Sequence, residues 1–144
     1  MAKDMVANKT INGTYGEVWF NGNKLGNCKS FECKVTGEYQ EMDIAGRSGK
    51  YQKWLGFSIT GTMTLIKLDS TIVSSILPYW KAGQNPTFTI VGKLADPSAY
   101  GAERISVTGV TLDEATLLSF EQKTVKDEEV PFKAEDYDLL DLID

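Results

Sequence analysis

Histidine does not occur anywhere in this chain of 144 residues. Its absence removes the commonest general base near neutral pH and the commonest transition-metal ligand. A Ser-His-Asp triad and a Cys-His pair are excluded with it. Cysteine is scarce, with only Cys28 and Cys33 present. Two thiolates do not complete a zinc site, which takes four ligands. Their odd spacing assigns them to opposite faces of a strand, so a reduced, unbridged pair is expected. No run of about 18 apolar residues occurs, which argues against a transmembrane helix or membrane anchor. The opening MAKDMVANKTING lacks the apolar stretch of a secretory signal. No Walker-type loop is present, nor a Gly-x-Gly-x-x-Gly between a strand and a helix. No catalytic, cofactor-binding or metal-binding residues are expected, and the chain does not read as an enzyme.

Apolar residues make up 42% and charged residues 24%, enough apolar side chains to close one core. One domain over residues 1–144 follows, with 1–14 as a polar N-terminal arm and 138–144 as an acidic C-terminal end. Charge is unevenly spread. Residues 1–112 hold 12 bases and 9 acids, whereas residues 113–144 hold 3 bases and 11 acids. An acidic final third argues against nucleic acid as a tightly held ligand.

Strand signals dominate. Gly16–Phe20 reads as a short strand followed by an Asn21-Gly22-Asn23 turn, a strong hairpin signal. From Cys28 to Tyr39, Phe31, Cys33 and Val35 alternate with Ser30, Glu32, Lys34 and Thr36. From Trp54 to Leu68, Phe57, Ile59, Gly61, Met63 and Leu65 share one face, and Ser58, Thr60, Thr62 and Thr64 share the other. No period holds over residues 40–53, which read as a long exposed loop, functional or disordered. Asp69 opens a helix over about 70–82 whose apolar stripe is Ile72, Val73, Ile76, Leu77 and Trp80, with Pro78 set to end or kink it. Further strands are expected over Pro86–Lys93, Glu103–Leu112, Leu117–Phe120 and Glu129–Tyr137. The end from Tyr137 is either a short helix or a frayed tail. The order is mainly β, without βαβ alternation. It predicts a small β-sandwich or partly open barrel with one flanking α-helix.

Two features invite a chemical interpretation. The acids Asp127, Glu128, Glu129, Glu135, Asp136 and Asp138 lack the glycine turn of a calcium loop and read as a solvated face. Trp19, Trp54 and Trp80 read as core side chains rather than a sugar platform.

Several short segments, taken in order, carry a resemblance. They are Asn12-Gly13 to Phe20, the Ile44–Gly49 stretch and Gly109-Val110-Thr111-Leu112-Asp113-Glu114. Glu128-Glu129-Val130-Pro131-Phe132 and Asp136-Tyr137-Asp138-Leu139-Leu140-Asp141 complete the set. Together they resemble the tail tube proteins of contractile phages, of the type found in PBSX-like prophages and phage-tail-like bacteriocins. The resemblance spans nearly the whole chain. It implies a subunit that forms hexameric rings, stacked into a hollow tube inside a contractile sheath. A long loop and the N-terminal arm would join ring to ring. Its partners would be other copies of itself, the tail sheath protein, and baseplate and tape-measure proteins, with no cofactor. DNA would be only a transient cargo in a phage, and ions would pass in a bacteriocin. Assembly would occur in the host bacterial cytoplasm, followed by residence in a virion tail or released particle.

Within that frame the local residues acquire expected roles. Arg47, Lys50, Tyr51 and Lys53 form a basic stacking loop. Asp127, Glu128, Glu129, Asp136 and Asp138 form its acidic partner on a neighbouring ring. Ser58, Thr60, Thr62 and Thr64 line the lumen. Two other classes compete with this assignment: a ring-forming tube or carrier of the type VI secretion kind, and a monomeric β-sandwich binding module.

Overall fold

The computed structural model describes residues 5–143. Eight strands occur in the order β1 (Gly16–Phe20), β2 (Asn23–Lys24), β3 (Cys28–Asp43), β4 (Lys50–Ile66), β5 (Phe88–Leu94), β6 (Glu103–Leu112), β7 (Asp127–Ala134) and β8 (Asp136–Asp141). One helix, α1 (Thr71–Lys81), lies between β4 and β5. The strands form an open antiparallel sheet in the spatial order β2-β1-β5-β6-β7-β4-β3, with β8 also paired to β6. The sheet curves so that β3 comes to face β5, where a Cβ on Gly92 would lie 3.2 Å from the Phe31 ring.

Local chemistry accounts for the turns. Phe20 pairs with Asn23 across Asn21 and Gly22, both at positive φ, as a two-residue hairpin turn requires. Helix α1 starts where the Asp69 carboxylate accepts from the Thr71 hydroxyl at 2.7 Å and from its backbone N–H at 3.2 Å. The helix continues three residues beyond Pro78 to Lys81. It ends in paired backbone bonds, Gln84 N–H to Tyr79 O at 2.8 Å and Gly83 N–H to Trp80 O at 3.0 Å.

Strand β6 is the hinge of the sheet. One edge pairs with β5 between Glu103 and Val110, whereas the other meets β7 at Thr111 and Leu112 and β8 from Arg104 to Thr108. The change of partner falls at Gly109, whose φ is +63° and whose missing Cβ leaves room for the Glu135 side chain.

The core follows the expected alternation. Ile59, Met63 and Leu65 of β4 meet Val130 and Phe132 of β7, Val107, Val110 and Leu112 of β6, and Ile90 of β5. Ile72 and Ile76 bring α1 onto this cluster. Phe132 lies against Gly61, the one position on that face of β4 with no side chain to oppose it.

Several expectations are corrected. Residues 40–53 do not form a long loop. The strands run on to Asp43 and resume at Lys50, joined by residues 44–49 alone. Both faces of these arms are exposed, so no apolar-polar alternation marks them in the sequence. Leu117–Phe120 is not a strand, and in its neighbourhood there is only an isolated bridge, Glu121 to Thr124. The residues from Asp136 to Asp141 are neither helix nor tail, because they cover the stretch of β6 edge that β7 leaves. Cys28 and Cys33 do not face opposite ways. An irregularity at Lys29 sets Cys28 opposite Leu65 and Cys33 opposite Gly61, both on the core side. Trp54 is 54% exposed and lies outside the core.

The Phe132–Gly61 contact gives a direct stability test. Phe132→Ala should cost about 3–5 kcal/mol of unfolding free energy through the cavity it leaves. Gly61→Ala should cost about 1–3 kcal/mol by overpacking against Phe132 and the Glu32 carbonyl. Denaturant titration of the folded chain measures both, and an unchanged midpoint in either variant contradicts this packing.

Candidate self-assembly surfaces

The surface offers three features suited to self-association: a projecting hairpin, unpaired strand edges and exposed apolar side chains. Strand β4 is 17 residues long, roughly 55 Å at strand rise. Only Ile59–Ile66 is paired to β7, so the half that precedes it pairs with β3 alone. The two arms therefore extend past the sheet as a two-stranded ribbon. Such a ribbon is at best marginally stable in water by itself.

The ribbon carries a high density of apolar side chains. Val35, Tyr39, Met42, Ile44, Tyr51, Trp54, Leu55 and Phe57 are all exposed. Tyr39 stands opposite Trp54, and Met42 opposite Tyr51, on alternate faces. A register irregularity between Glu38 and Tyr39 leaves Leu55 as the extra residue on β4. One tie to the body comes from Phe57, whose ring meets Tyr137 of β8 edge-on at 5.5 Å.

Strands β3 and β8 each pair on one side only among the described residues. Their outward N–H and C=O groups are open to another chain. Beside the exposed edge of β8, Leu139, Leu140 and Leu142 are exposed. At the other end of the sheet, the N-terminal arm is held down. The buried Asp96 carboxylate accepts the Asn12 N–H at 3.0 Å and the Ser98 N–H at 2.8 Å.

The residues expected to form a basic stacking loop do come together, at the hairpin tip. Arg47 donates to the Tyr51 hydroxyl at 2.6 Å and sits 5.8 Å from its ring centre. Lys50 pairs with Glu41 at 2.8 Å, and Lys53 lies opposite Gln40. The acidic set is not brought together. Asp127, Glu128 and Glu129 open β7, whereas Asp136 and Asp138 lie on β8, roughly 30 Å further along the chain at strand rise. Asp127 already pairs with Lys29 at 2.8 Å, and Glu128 is buried beside Lys67 at 3.7 Å.

Ser58, Thr60, Thr62 and Thr64 share the outer face of β4. Their cross-strand neighbours add charge: Glu32 and Lys34 on β3, and Glu129 and Lys133 on β7. Lys34 pairs with Glu32 at 3.2 Å and Lys133 with Asp113 at 4.0 Å, so the face is polar and balanced in sign.

Sequence reasoning missed the apolar side chains of the ribbon as a surface. The clue was their density between Tyr39 and Phe57 in a stretch without any period.

Among the described residues, no group of three or more Cys, Asp or Glu side chains is placed to hold a metal ion. A cavity of about 410 Å³ opens between β1, β5, β6 and β3, lined by the apolar side chains of Val18, Phe31, Leu94 and Ile105 and by the charged residues Glu17, Lys29, Lys93 and Glu103. What the geometry defines is a class of protein: a β-domain with open strand edges and a projecting hairpin rich in exposed apolar side chains. The chain belongs to the phage tail tube protein family, whose pattern matches residues 3–141.

A curated relative is the Phage-like element PBSX protein XkdM of Bacillus subtilis (strain 168). It is 35% identical over 135 residues, covering 92% of each chain. Solved structures share the fold at low identity. A chain from the PVC sheath/tube terminator of an extracellular contractile injection system superposes with a TM-score of 0.73 at 13% identity, over 92% of this chain and 97% of that one. A chain of the anti-feeding prophage cap gives 0.72 at 11% identity, over 94% of both.

Burial raises the pKa of both thiols, with desolvation the main cause at Cys28 and at Cys33. Both should stay protonated at pH 8 and react with iodoacetamide more slowly than a free thiol. Mass spectrometry of timed samples measures this, and labelling at the free-thiol rate contradicts it. A disulfide between the two is not expected. Their partners on β4 are four positions apart, about 13 Å against the roughly 7 Å limit between bridged Cα atoms.

Proposed function

We propose that this chain is the subunit of the inner tube of a contractile phage tail or phage-tail-like particle. In this reading it forms hexameric rings that stack around a central channel for DNA or ions. The observation that carries the reading is the two-stranded ribbon: too exposed and too apolar to be stable alone, it gains stability when a second copy covers it. Neighbouring copies in a ring seal the open edges of β3 and β8 by strand pairing.

The outer face of β4, with Ser58, Thr60, Thr62 and Thr64, lines the lumen. A net charge of −5 per copy gives about −30 per ring, which repels rather than retains a passing polyanion. The tail sheath protein surrounds the tube, and baseplate and tape-measure proteins meet its end and interior. Assembly takes place in the host cytoplasm before the subunit resides in a tail or a released particle. Family membership and the shared fold with contractile injection system components support this role.

The rival reading is a monomeric binding module that uses Tyr39 and Trp54 as a platform. Such a platform needs a rigid sheet behind it, and these two rings stand on the part of β3 and β4 that pairs with no third strand among the described residues.

Tyr39→Ser with Trp54→Ser tests the proposal. Each ring removed from the interface should forfeit roughly 1.5–3 kcal/mol of burial. Electron microscopy and sedimentation should show a folded chain that no longer forms tubes. Wild-type tubes lost in this variant support the reading, and tubes of normal length and yield would falsify it.

The electrostatic part is tested separately. Arg47→Glu, Lys50→Glu and Lys53→Glu together should shift assembly from tubes to rings or monomers. Undiminished tubes would retire charge as the stacking determinant.

A further inference from the structure

The connection between β6 and β7, residues 113–126, is the most exposed apolar element of the chain that no role above uses. Leu117, Leu118, Phe120 and Val125 are each between 74% and 79% exposed. Leu68, at 76%, adjoins them, because the Lys67 N–H donates to the Lys126 carbonyl at 3.0 Å. Five large apolar side chains this exposed, carried by two segments joined at Lys67 and Lys126, exceed what a solvated loop carries by chance.

Their position says what could cover them. Ile66 pairs with Asp127, so this patch lies at the end of β4 opposite the hairpin tip. Charge agrees. Residues 44–53 hold three bases and no acid, whereas residues 113–129 hold six acids and two bases. Beneath the patch, Glu128 is 6% exposed. Its Oε2 lies 3.7 Å from Lys67 Nζ, and its Oε1 has no hydrogen-bond partner. A buried carboxylate oxygen left unpaired is costly, so the site calls for a donor. Arg47 makes no ion pair among the described residues and is a donor of suitable geometry.

We propose that Leu68 and the 113–126 segment form a socket for the hairpin tip of a second copy, with Arg47 of that copy donating to Glu128. The proposal rests on the tube-subunit reading and adds the receiving surface. A tip and a socket at opposite ends of one molecule make a head-to-tail contact. Such a contact does not close on itself and extends copy by copy. Ile44 at the tip enters the Leu117–Leu118 patch, while the ring contacts made by strand edges remain separate from it.

Cysteine cross-linking tests the contact in tubes of the full-length chain, grown on a baseplate seed if concentrated protein alone stays unassembled. In a Cys28→Ala, Cys33→Ala background, Ile44→Cys is combined with Leu118→Cys. Oxidised tubes should give a ladder of covalent multimers, and either cysteine alone should give none. In parallel, Leu117→Ser with Leu118→Ser and Phe120→Ser should leave a folded chain that forms rings, while tube yield falls at least about tenfold. Arg47→Ala and Glu128→Ala should weaken stacking by less than the sum of their separate effects when combined.

A ladder together with rings that do not stack supports the socket. No ladder in intact tubes, or full tube yield from the triple serine variant, overturns the socket and leaves the tube reading standing. A wild-type chain that forms neither rings nor tubes on a seed overturns both.

Discussion

Every strand carries N–H and C=O groups along two edges, and those groups need partners wherever water is excluded. In this chain the edge requirement is met unevenly. Strand β6 is paired on both sides along most of its length, because β7 and β8 share its second edge. Strand β3, 16 residues long, is paired on one side throughout. The body is therefore complete by itself, while the ribbon and the outer edges remain open. The arrangement depends on the change of partner at Gly109. There β6 passes from β8 to β7, which places Phe132 over Gly61 on one side of the switch and Tyr137 against Phe57 on the other.

That division separates the stability of the fold from the stability of an assembly. Phe132, Met63, Ile76, Ile90, Val110 and Val130 are fully enclosed, and none of them lies on the ribbon. Truncating the ribbon's aromatic pairs thus leaves the core closed. The same division is consistent with other chains sharing the fold at 11–13% identity. Core volume and alternation are retained by many sequences, whereas surface contacts are free to change with each partner.

The β-rich class, the helix from Thr71 to Lys81 and the core face of β4 were legible because one side of each element is buried, so period and burial coincide. The ribbon was not legible for the converse reason. Tyr39, Met42, Tyr51 and Trp54 sit on both faces of an element with no inside, and a period has nothing to report. The strand from Asp136 to Asp141 was hidden similarly, since all of its side chains are exposed and only its backbone pairing to β6 defines it. The side on which Cys28 lies depended on one irregular residue, Lys29, which no alternation rule anticipates. Of the proposed contact residues, the basic ones lie together near the hairpin tip because three cations fall within ten positions. The acidic residues do not lie together, because extended strands carry Asp127 and Asp138 apart although they are near in sequence.

An apolar ribbon with open edges ought to aggregate, and its charges explain how it can remain selective. Lys34, Glu38, Glu41, Asp43, Lys50 and Lys53 are distributed along both arms, the usual means of blunting an exposed edge. Ion pairs such as Lys50–Glu41 and Lys34–Glu32 are solvent-exposed and worth only about 0–1 kcal/mol each, so a partner can displace them at little cost. An arbitrary sheet edge cannot match that pattern of alternating sign, and pairing with it would strand charges in the new interface. A surface that offers acids opposite the basic tip and apolar side chains opposite Met42 and Ile44 satisfies both demands together. The charges thus do little for the isolated chain. In the proposed assembly they raise the cost of wrong contacts while the aromatic and aliphatic side chains supply the attraction of the right one.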